Sequence, residues 1–333
     1  MMKSSSITNN SLKRLFYSVR IPPVYIFLVV IFLVGGLLDL IFSDGQIFTN
    51  QGILINIIVR SVALGIVAVG QTFVIIGASI DLSVVYVISL TSVISSFMMQ
   101  GDANNVPKAI IVVFALGAVV GLMNGILVTK LHINSFIATL GMSLIIKGII
   151  NSTFTNYIMG SVPKSFTGFG YNTIGPIPVS VIVLLLVVVA GWLILSRTKF
   201  GAHLYGVGGN LEVARLSGLR TDRVVIIAHI ICSMTAVLTG IFLVSRMQSG
   251  SPWAGPDGLY DLESIATTVI GGTTLAGGKG GVWGTLAGVL IFGFLDTLFN
   301  QLGVNPYLKN ILRGAIVVFA VASYTYFSKK EVA

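Results

Sequence analysis

One carboxylate inside a long apolar stretch is the residue of this sequence best placed to do chemistry. Asp81 lies two residues after Ser79 and two before Ser83, and no Lys or Arg lies within twenty residues on either side. Such a side chain must face a water-filled cavity, cap a broken helix or pair with another group. Ser79 and Asp81 could each cap the start of the next helix, and we favour this structural role over contact with a solute.

A lysine raises the same question near the middle of another apolar segment. Lys147 at such a depth costs about 3 kcal/mol on insertion scales. We expect it to pair with Asp81, Glu263 or Asp296, or to reach a wet cavity, and the sequence leaves these alternatives open. Arg60 lies at the end of a segment, where we expect its long side chain to extend to the membrane surface.

Motifs for catalysis are missing from the sequence. The stretch GGTTLAGGKGG resembles a phosphate-binding loop, but Thr273 stands where that loop needs Gly, and Gly280 follows Lys279 where it needs Ser or Thr. The three histidines are scattered without metal-ligand spacing, and we find no grouping of Ser, His and Asp. We therefore expect no enzymatic activity, no metal and no cofactor bound by this chain.

The composition places these residues in a membrane. Of 333 residues, 55% are hydrophobic and 9% charged, whereas a soluble domain carries about a quarter charged residues. Backbone polar groups in lipid must bond internally, and continuous apolar runs favour helices over a barrel. Residues 46–60 are too polar to span and are expected in the membrane interface. We predict an all-α polytopic membrane protein with about ten spans, near residues 24–43, 61–79, 82–99, 109–129, 135–157, 178–196, 224–245, 261–276, 282–300 and 307–327.

Basic residues assign an orientation to these spans. With the N-terminus inside, thirteen Lys and Arg lie on the inner side and three on the outer side. The positive-inside rule then predicts that both termini and the loop 197–223 face the cytoplasm. It also accounts for the net charge of +9 without a nucleic-acid partner. The whole chain, 1–333, is interpreted as a single transmembrane domain with cytoplasmic tails at 1–23 and 328–333.

The loop 197–223 contains a short helix with its own start and stop signals. Asn210 is a good N-cap, Glu212 suits the positive end of the helix dipole, and Gly218 is placed to end the helix. Two turns are too short to be stable alone, so we expect two spans to position this helix for a groove on a partner protein. An ordinary solvated loop is the alternative. The predicted docking residues are Asn210, Leu211, Glu212, Val213, Ala214, Arg215, Leu216, Ser217 and Gly218.

A weak internal repeat relates two parts of the chain. Residues 131–137 (LHINSFI) resemble 302–308 (LGVNPYL), and residues 76–79 resemble 270–273 at a different offset. The first Leu-x-x-Asn turn is predicted inside and the second outside, which predicts an inverted-topology repeat; chance similarity is the alternative. The flanking residues that correspond are Gly121 and Gly293, Asn124 and Asp296, Lys147 and Arg313, and Gly148 and Gly314.

Glycines at helical spacing predict close helix contacts. Gly117, Gly121 and Gly125 lie on one face of the fourth predicted span, and Gly284 and Gly288 do the same in the ninth. Packing within the subunit is the commoner case, and a seam between two copies is the alternative.

Three segments resemble one transporter family. They are GVGGNLEVARLSG, residues 206–218; the glycine-rich segment 261–318 that begins DLESIATTVIGGTTLAGGKGG; and IGASIDLSVVYVISL, residues 76–90. All three resemble the permease subunits of ribose-type ABC sugar importers, and the likeness extends over about residues 47–321. Departures occur at Ser79, Val85 and Asp296, where the family usually has Gly, Gly and Asn, so the sugar need not be ribose.

The resemblance implies a set of partners and a site. It implies a dimeric transmembrane core made with a second copy or a sister permease, cytoplasmic ATPase subunits that bind ATP and Mg, and an external sugar-binding protein. The family's cytoplasmic coupling loop corresponds to Asn210, Glu212, Ala214, Arg215, Ser217 and Gly218. The residues expected near the translocation path are Ser79, Asp81, Ser83, Asn124, Lys147 and Asp296.

We therefore expect a multi-pass permease of the bacterial plasma (inner) membrane. It would import a simple sugar, a ribose-like pentose or related monosaccharide, by alternating access driven by a separate ATPase subunit. An ion-coupled secondary transporter is the main alternative and predicts ion-dependent transport by this chain alone. A passive channel predicts solute flux without any energy source.

Overall fold

Helices make up nearly all of the structure. The computed structural model describes residues 23–43, 45–154, 160–316 and 318. The helices are α1 Pro23–Phe42, α2 Gln46–Thr49, α3 Gln51–Ile76, α4 Val84–Met99, α5 Val106–Thr129, α6 Ser135–Thr153, α7 Gly168–Tyr171, α8 Val179–Arg197, α9 Lys199–Gly209, α10 Leu211–Leu216, α11 Thr221–Met247, α12 Tyr260–Ile270 and α13 Val282–Gln301. Residues 306–316, called α14, are also helical.

Short elements complete the description. Two 3-10 turns, Ala103–Asn105 and Pro256–Gly258, precede α5 and α12. Strands β1 Thr173–Ile174 and β2 Ile177–Pro178 form a small antiparallel hairpin in which Thr173 lies opposite Pro178. Apart from Pro23, the predicted tails lie outside the described residues, as does the end of the tenth predicted span.

Seven of the described helices are long and apolar enough to cross a membrane. They are α1, α3, α5 with the 3-10 turn before it, α6, α8, α11 and α13. Helix α4 is apolar but has 16 residues, and α12 has 11. A helix therefore lies at each predicted span, and the all-α polytopic class is confirmed. The number of spans and the positions of the termini stay predictions.

The helix α3 begins earlier than the predicted span. Residues 51–60 form its first turns, and their location in the membrane interface stays a prediction. The Asn50 side chain caps this helix by accepting from the Gly52 N–H at 2.8 Å. Ile57 is buried against Phe294 and its neighbours. One apolar stripe therefore packs against the bundle and stabilises this part of the helix despite its polar residues.

Helix α11 is the centre of the bundle and packs against α3, α4 and α5. The close approach of α5 depends on its glycines. A Cβ at Gly121 would lie 2.6 Å from the Ile230 Cα, and one at Gly125 would lie 2.6 Å from the Ile226 Cα. Gly117 packs against α11 in the same way, and Gly284 and Gly288 face the backbone of Gly271 and Thr267. These glycines therefore pack within the subunit.

The loops between helices gather at two ends of the bundle. Among the predicted inner loops, the Lys130 ammonium lies 2.6 Å from the Asp222 carboxylate. Among the predicted outer loops, the Tyr171 hydroxyl donates to the Arg246 carbonyl at 2.7 Å, and the loop before α5 bonds to the loop after α6. The two sets of loops are those that the charge pattern separated; which set faces the cytoplasm stays a prediction.

The proposed repeat has a structural counterpart in two helix-turn-helix units. Asn134 accepts from the Phe136 N–H at 3.0 Å, and Asn305 accepts from the Tyr307 N–H at 2.8 Å. The first turn lies at the end of the bundle where α13 begins, and the second follows the opposite end of α13, as inversion requires. The similar turns at 76–79 and 270–273 instead lie at the same end, because Gly278 N–H donates to the Ile76 carbonyl at 2.9 Å.

Candidate functional site: a coupling helix and a buried polar cluster

The short helix of the loop 197–223 forms as its sequence signals predict. The Asn210 side chain accepts from the Val213 N–H at 3.0 Å, which caps the first turn of α10. Gly218 has a φ of +81°, a conformation that costs Gly little. The Leu219 N–H then donates to the Ala214 carbonyl at 3.1 Å, which closes the last turn.

Helix α10 presents apolar side chains to its surroundings. Leu216 is 84% exposed and Val213 56%, and Leu211 is also largely exposed, whereas Ala214 is buried. Exposed apolar side chains grouped on one short helix are typical of an interaction surface. We call α10 with its caps, residues 210–218, the coupling helix.

The coupling helix is supported by backbone contacts that leave no room for side chains. A Cβ at Gly208 would collide with the Ile76 carbonyl, so the end of α9 lies directly on the end of α3. The Gly278 N–H bonds the same carbonyl at 2.9 Å. The half-buried Tyr205 hydroxyl donates to the Gly280 carbonyl at 2.8 Å, and burial raises the pKa of Tyr205, so it stays protonated. A displacement of the coupling helix would therefore reach α3 and α13.

A second set of polar side chains is buried where α3 ends and α4 begins. Asp81 Oδ2 lies 3.1 Å from His229 Nδ1, and His229 Nε2 lies 2.9 Å from Ser79 Oγ. Asp81 Oδ1 accepts from the N–H and the hydroxyl of Ser83 at 2.9 and 2.6 Å. Asn124 Nδ2 donates to Ser83 Oγ at 2.8 Å. We call these five residues the buried cluster.

The buried cluster corrects the expectation that no Ser, His and Asp come together. Ser79, His229 and Asp81 have the contacts of a catalytic triad, but Asp81 and His229 are fully buried and Ser79 is 5% exposed. The cluster instead joins the non-helical segment 77–83 to α5 and α11. Sequence analysis missed His229; its position two turns inside an apolar helix was the available signal, since a buried imidazole needs a partner.

The expected carboxylate partners of Lys147 are bound elsewhere. Asp81 pairs with His229, Glu263 with Arg313, and Asp296 with Arg313 as well. The Lys147 ammonium lies 5.9 Å from the centre of the Tyr86 ring, a weak cation–π contact. The expectation of a carboxylate partner is therefore wrong for the described residues, because other basic side chains lie closer to each acid.

A further cluster links α3, α12, α13 and α14. Asp296 lies 3.2 Å from Arg60 and 2.5 Å from Arg313, and Arg313 lies 3.1 Å from Glu263. Arg60 thus pairs with Asp296 while its side chain stays half exposed, and its extension to the membrane surface stays a prediction. We call these four residues the ionic cluster. Unlike the buried cluster, it is partly exposed, since the Arg60 side chain is 52% exposed and that of Asp296 is 21% exposed.

The six predicted path residues do not form one site. Ser79, Asp81, Ser83 and Asn124 belong to the buried cluster, whereas Asp296 belongs to the ionic cluster and Lys147 lies apart from both. Their role in translocation stays a prediction.

Comparison with known proteins places the chain in a family. Residues 53–321 match the model of the family described as branched-chain amino acid transport system / permease component. The chain belongs to this permease family. The permease is 38% identical over 276 residues to the ribose import permease RbsC of Escherichia coli K12, covering 80% of this chain and 84% of that one.

Other relatives carry related names. The Bacillus subtilis ribose import permease RbsC is 38% identical over 267 residues, which cover 79% of the permease and 82% of the relative. The E. coli K12 galactose/methyl galactoside import permease MglC is 32% identical over 315 residues, which cover 88% of the permease and 93% of the relative. No solved structure is detectably similar to the chain. Family membership and the long apolar helices make this a multi-pass inner-membrane protein.

Proposed function

We propose that the chain is the permease subunit of an ABC importer for a simple sugar, a ribose-like pentose or a related monosaccharide. The coupling helix carries this proposal, because a membrane bundle has no use of its own for an exposed apolar helix with firm backbone support. Similarity to ribose and galactose import permeases supports the sugar class. ATP and Mg would bind to a separate cytoplasmic ATPase, and an external binding protein would deliver the sugar.

In the proposed mechanism, the coupling helix carries motion from the ATPases into the bundle. Closure of two ATPase subunits would move the coupling helices of two permeases, and the spans would rock between outward and inward openings. Two structural routes support this transfer. One passes from α9 through the glycine-rich turn 271–281 to α13, and the other passes along α11 to His229 and the segment 77–83.

Co-purification tests the partner assignment directly. The tagged chain would be extracted from native membranes in mild detergent, and the bound proteins identified. A stoichiometric ATPase subunit is expected. A homogeneous complex of the chain alone, reproducible across detergents, would contradict the proposal and favour an ion-coupled transporter.

Leu216→Glu tests the docking surface. Placing a charge on the most exposed apolar side chain of the coupling helix should abolish ATPase binding and substrate-stimulated ATP hydrolysis without unfolding the bundle. Ile174→Glu is the matched control for ATPase binding, since Ile174 is 65% exposed in the hairpin at the other end, and it should leave ATPase binding unchanged. Glu212→Ala with Arg215→Ala should likewise remove stimulation. Normal stimulation in Leu216→Glu and in the double variant would reject the docking assignment.

A further inference from the structure

A cleft of about 430 Å³ opens beside the coupling helix, between α9 and the first turns of α11. Three basic side chains line it: His203 from α9, Arg220 just before α11 and Arg223 in its first turn. Arg220 and Arg223 both line this one cleft. The two arginines therefore give the cleft a concentrated positive charge at the end of the bundle that carries the coupling helix.

The two arginines have no acidic partner among the described residues. Asp222 lies between them in the sequence, but its carboxylate binds Lys130 at 2.6 Å and also lies 3.9 Å from Arg215. Arg220 and Arg223 are both exposed. Guanidinium groups bind phosphate oxygens through paired N–H donors, so the cleft presents two free phosphate-binding groups.

The other wall of the cleft is apolar. Phe200, Val224 and Ile227 line it, and Ile227 is 42% exposed. Ile227 lies four residues beyond Arg223, about 6 Å further along the helix axis, and α11 is one of the candidate membrane spans. The cleft thus runs from a basic mouth at the end of the bundle toward the level of the hydrocarbon.

We propose that this cleft binds an anionic phospholipid, with the phosphate between Arg220 and Arg223 and part of an acyl chain along Phe200 and Ile227. Basic pockets between helices at a membrane surface are typical sites for such headgroups. An acidic surface of a soluble partner could meet the arginines, but it would leave the apolar wall uncovered. The lipid would lie against Gly218 and Leu219 at the end of the coupling helix, where its binding would stabilise the docking segment.

Lipid titration of the purified full chain tests the proposal without any ATPase. Phosphatidylglycerol is added to the chain in neutral detergent, and the midpoint of thermal unfolding is followed. Phosphatidylglycerol should raise the midpoint saturably, whereas phosphatidylcholine and inorganic phosphate should not. Equal stabilisation by inorganic phosphate would identify a site for free anions, and equal stabilisation by phosphatidylcholine would show that charge is not recognised; each result would overturn the proposal.

Variants test whether the stabilisation by phosphatidylglycerol arises from binding in the cleft. Arg220→Gln with Arg223→Gln should weaken the apparent affinity for phosphatidylglycerol at least tenfold. Arg197→Gln with Lys199→Gln removes the same charge near the same end of the bundle but outside the cleft. This pair should change the apparent affinity for phosphatidylglycerol less than twofold. Equal losses in both pairs would indicate diffuse electrostatic attraction and would contradict a built site.

A single apolar change covers the case in which the arginine variant fails to fold. Ile227→Gln keeps both guanidinium groups and should weaken phosphatidylglycerol binding several-fold. Unchanged lipid binding in Ile227→Gln or in the arginine variant would overturn the proposal. In particular, an arginine variant that loses only ATPase binding would assign these arginines to a protein contact.

Discussion

The buried cluster and the ionic cluster each contain a polar residue shortly before a Leu-x-x-Asn turn of the predicted repeat. Asn124 lies seven residues before Leu131, and Asp296 lies six residues before Leu302. Asn124 donates a hydrogen bond to Ser83 in a region without solvent contact. Asp296 instead pairs with Arg60 and Arg313, and its side chain is 21% exposed. The residue before the first turn therefore makes a buried hydrogen bond, whereas the residue before the second turn belongs to a partly exposed group of ion pairs.

This difference indicates that burial, more than residue type, separates structural polar groups from candidates for solute contact. A buried group that loses its partner bears the full desolvation cost, so the buried cluster should determine stability. A partly exposed ion pair contributes little to stability. Because the ionic cluster is partly exposed, it is the better candidate for contact with a polar solute.

Asp81→Ala should have the largest effect on stability. The change leaves His229, Ser83 and Asn124 without their shared acceptor, and we expect a loss of about 3 kcal/mol. Thermal unfolding of the purified chain in detergent measures it.

Asp102→Ala is the matched control for that change. Asp102 is exposed and accepts one hydrogen bond from the Asn104 N–H at 2.9 Å, so its removal should cause only a small shift in the unfolding midpoint. Similar midpoints for the two variants would show that the buried cluster is not a determinant of stability.

Gly121→Ala should have the next largest effect. Its added Cβ would lie 2.6 Å from the Ile230 Cα, so α5 must move away from α11 and carry Asn124 with it. We expect a loss of about 2 kcal/mol, measured by the same unfolding assay.

Gly148→Ala provides the comparison for the glycine change. A Cβ at Gly148 meets no atom within 4 Å, and alanine favours the helix by roughly 0.5–1 kcal/mol. Gly148→Ala should therefore be neutral or slightly stabilising. Equal destabilisation of the two variants would attribute the loss to something other than the contact between α5 and α11.

Asp296→Asn should have the smallest effect on stability, about 1 kcal/mol or less. Sugar uptake by the assembled importer should nevertheless fall several-fold, because a partly exposed carboxylate can accept hydrogen bonds from a hydroxylated solute. Lys108→Gln is the control, since this side chain is exposed and forms no ion pair among the described residues; it should preserve both properties. Strong destabilisation with normal uptake would make Asp296 a structural residue like Asp81 and remove the contrast between the clusters.

Local features of the sequence predicted much of the fold and one part of the site. The predicted spans coincide with helices because long apolar runs need no tertiary information to be recognised. The coupling helix was predicted with its caps, since Asn210 and Gly218 act through bonds within a few residues. The start of α3 was missed because packing against Phe294 compensates for its polar residues.

The sequence alone specified the membrane class, the positions of the helices and a short capped helix over residues 210–218, because apolar runs and helix caps act over short stretches of chain. The pairing of polar groups depended on the tertiary structure. His229 and Asp81 are 148 residues apart, and Arg60 and Asp296 are 236 apart. In an apolar bundle, an ionisable side chain binds whichever complementary group the packing brings within reach, and for Lys147 that was the Tyr86 ring.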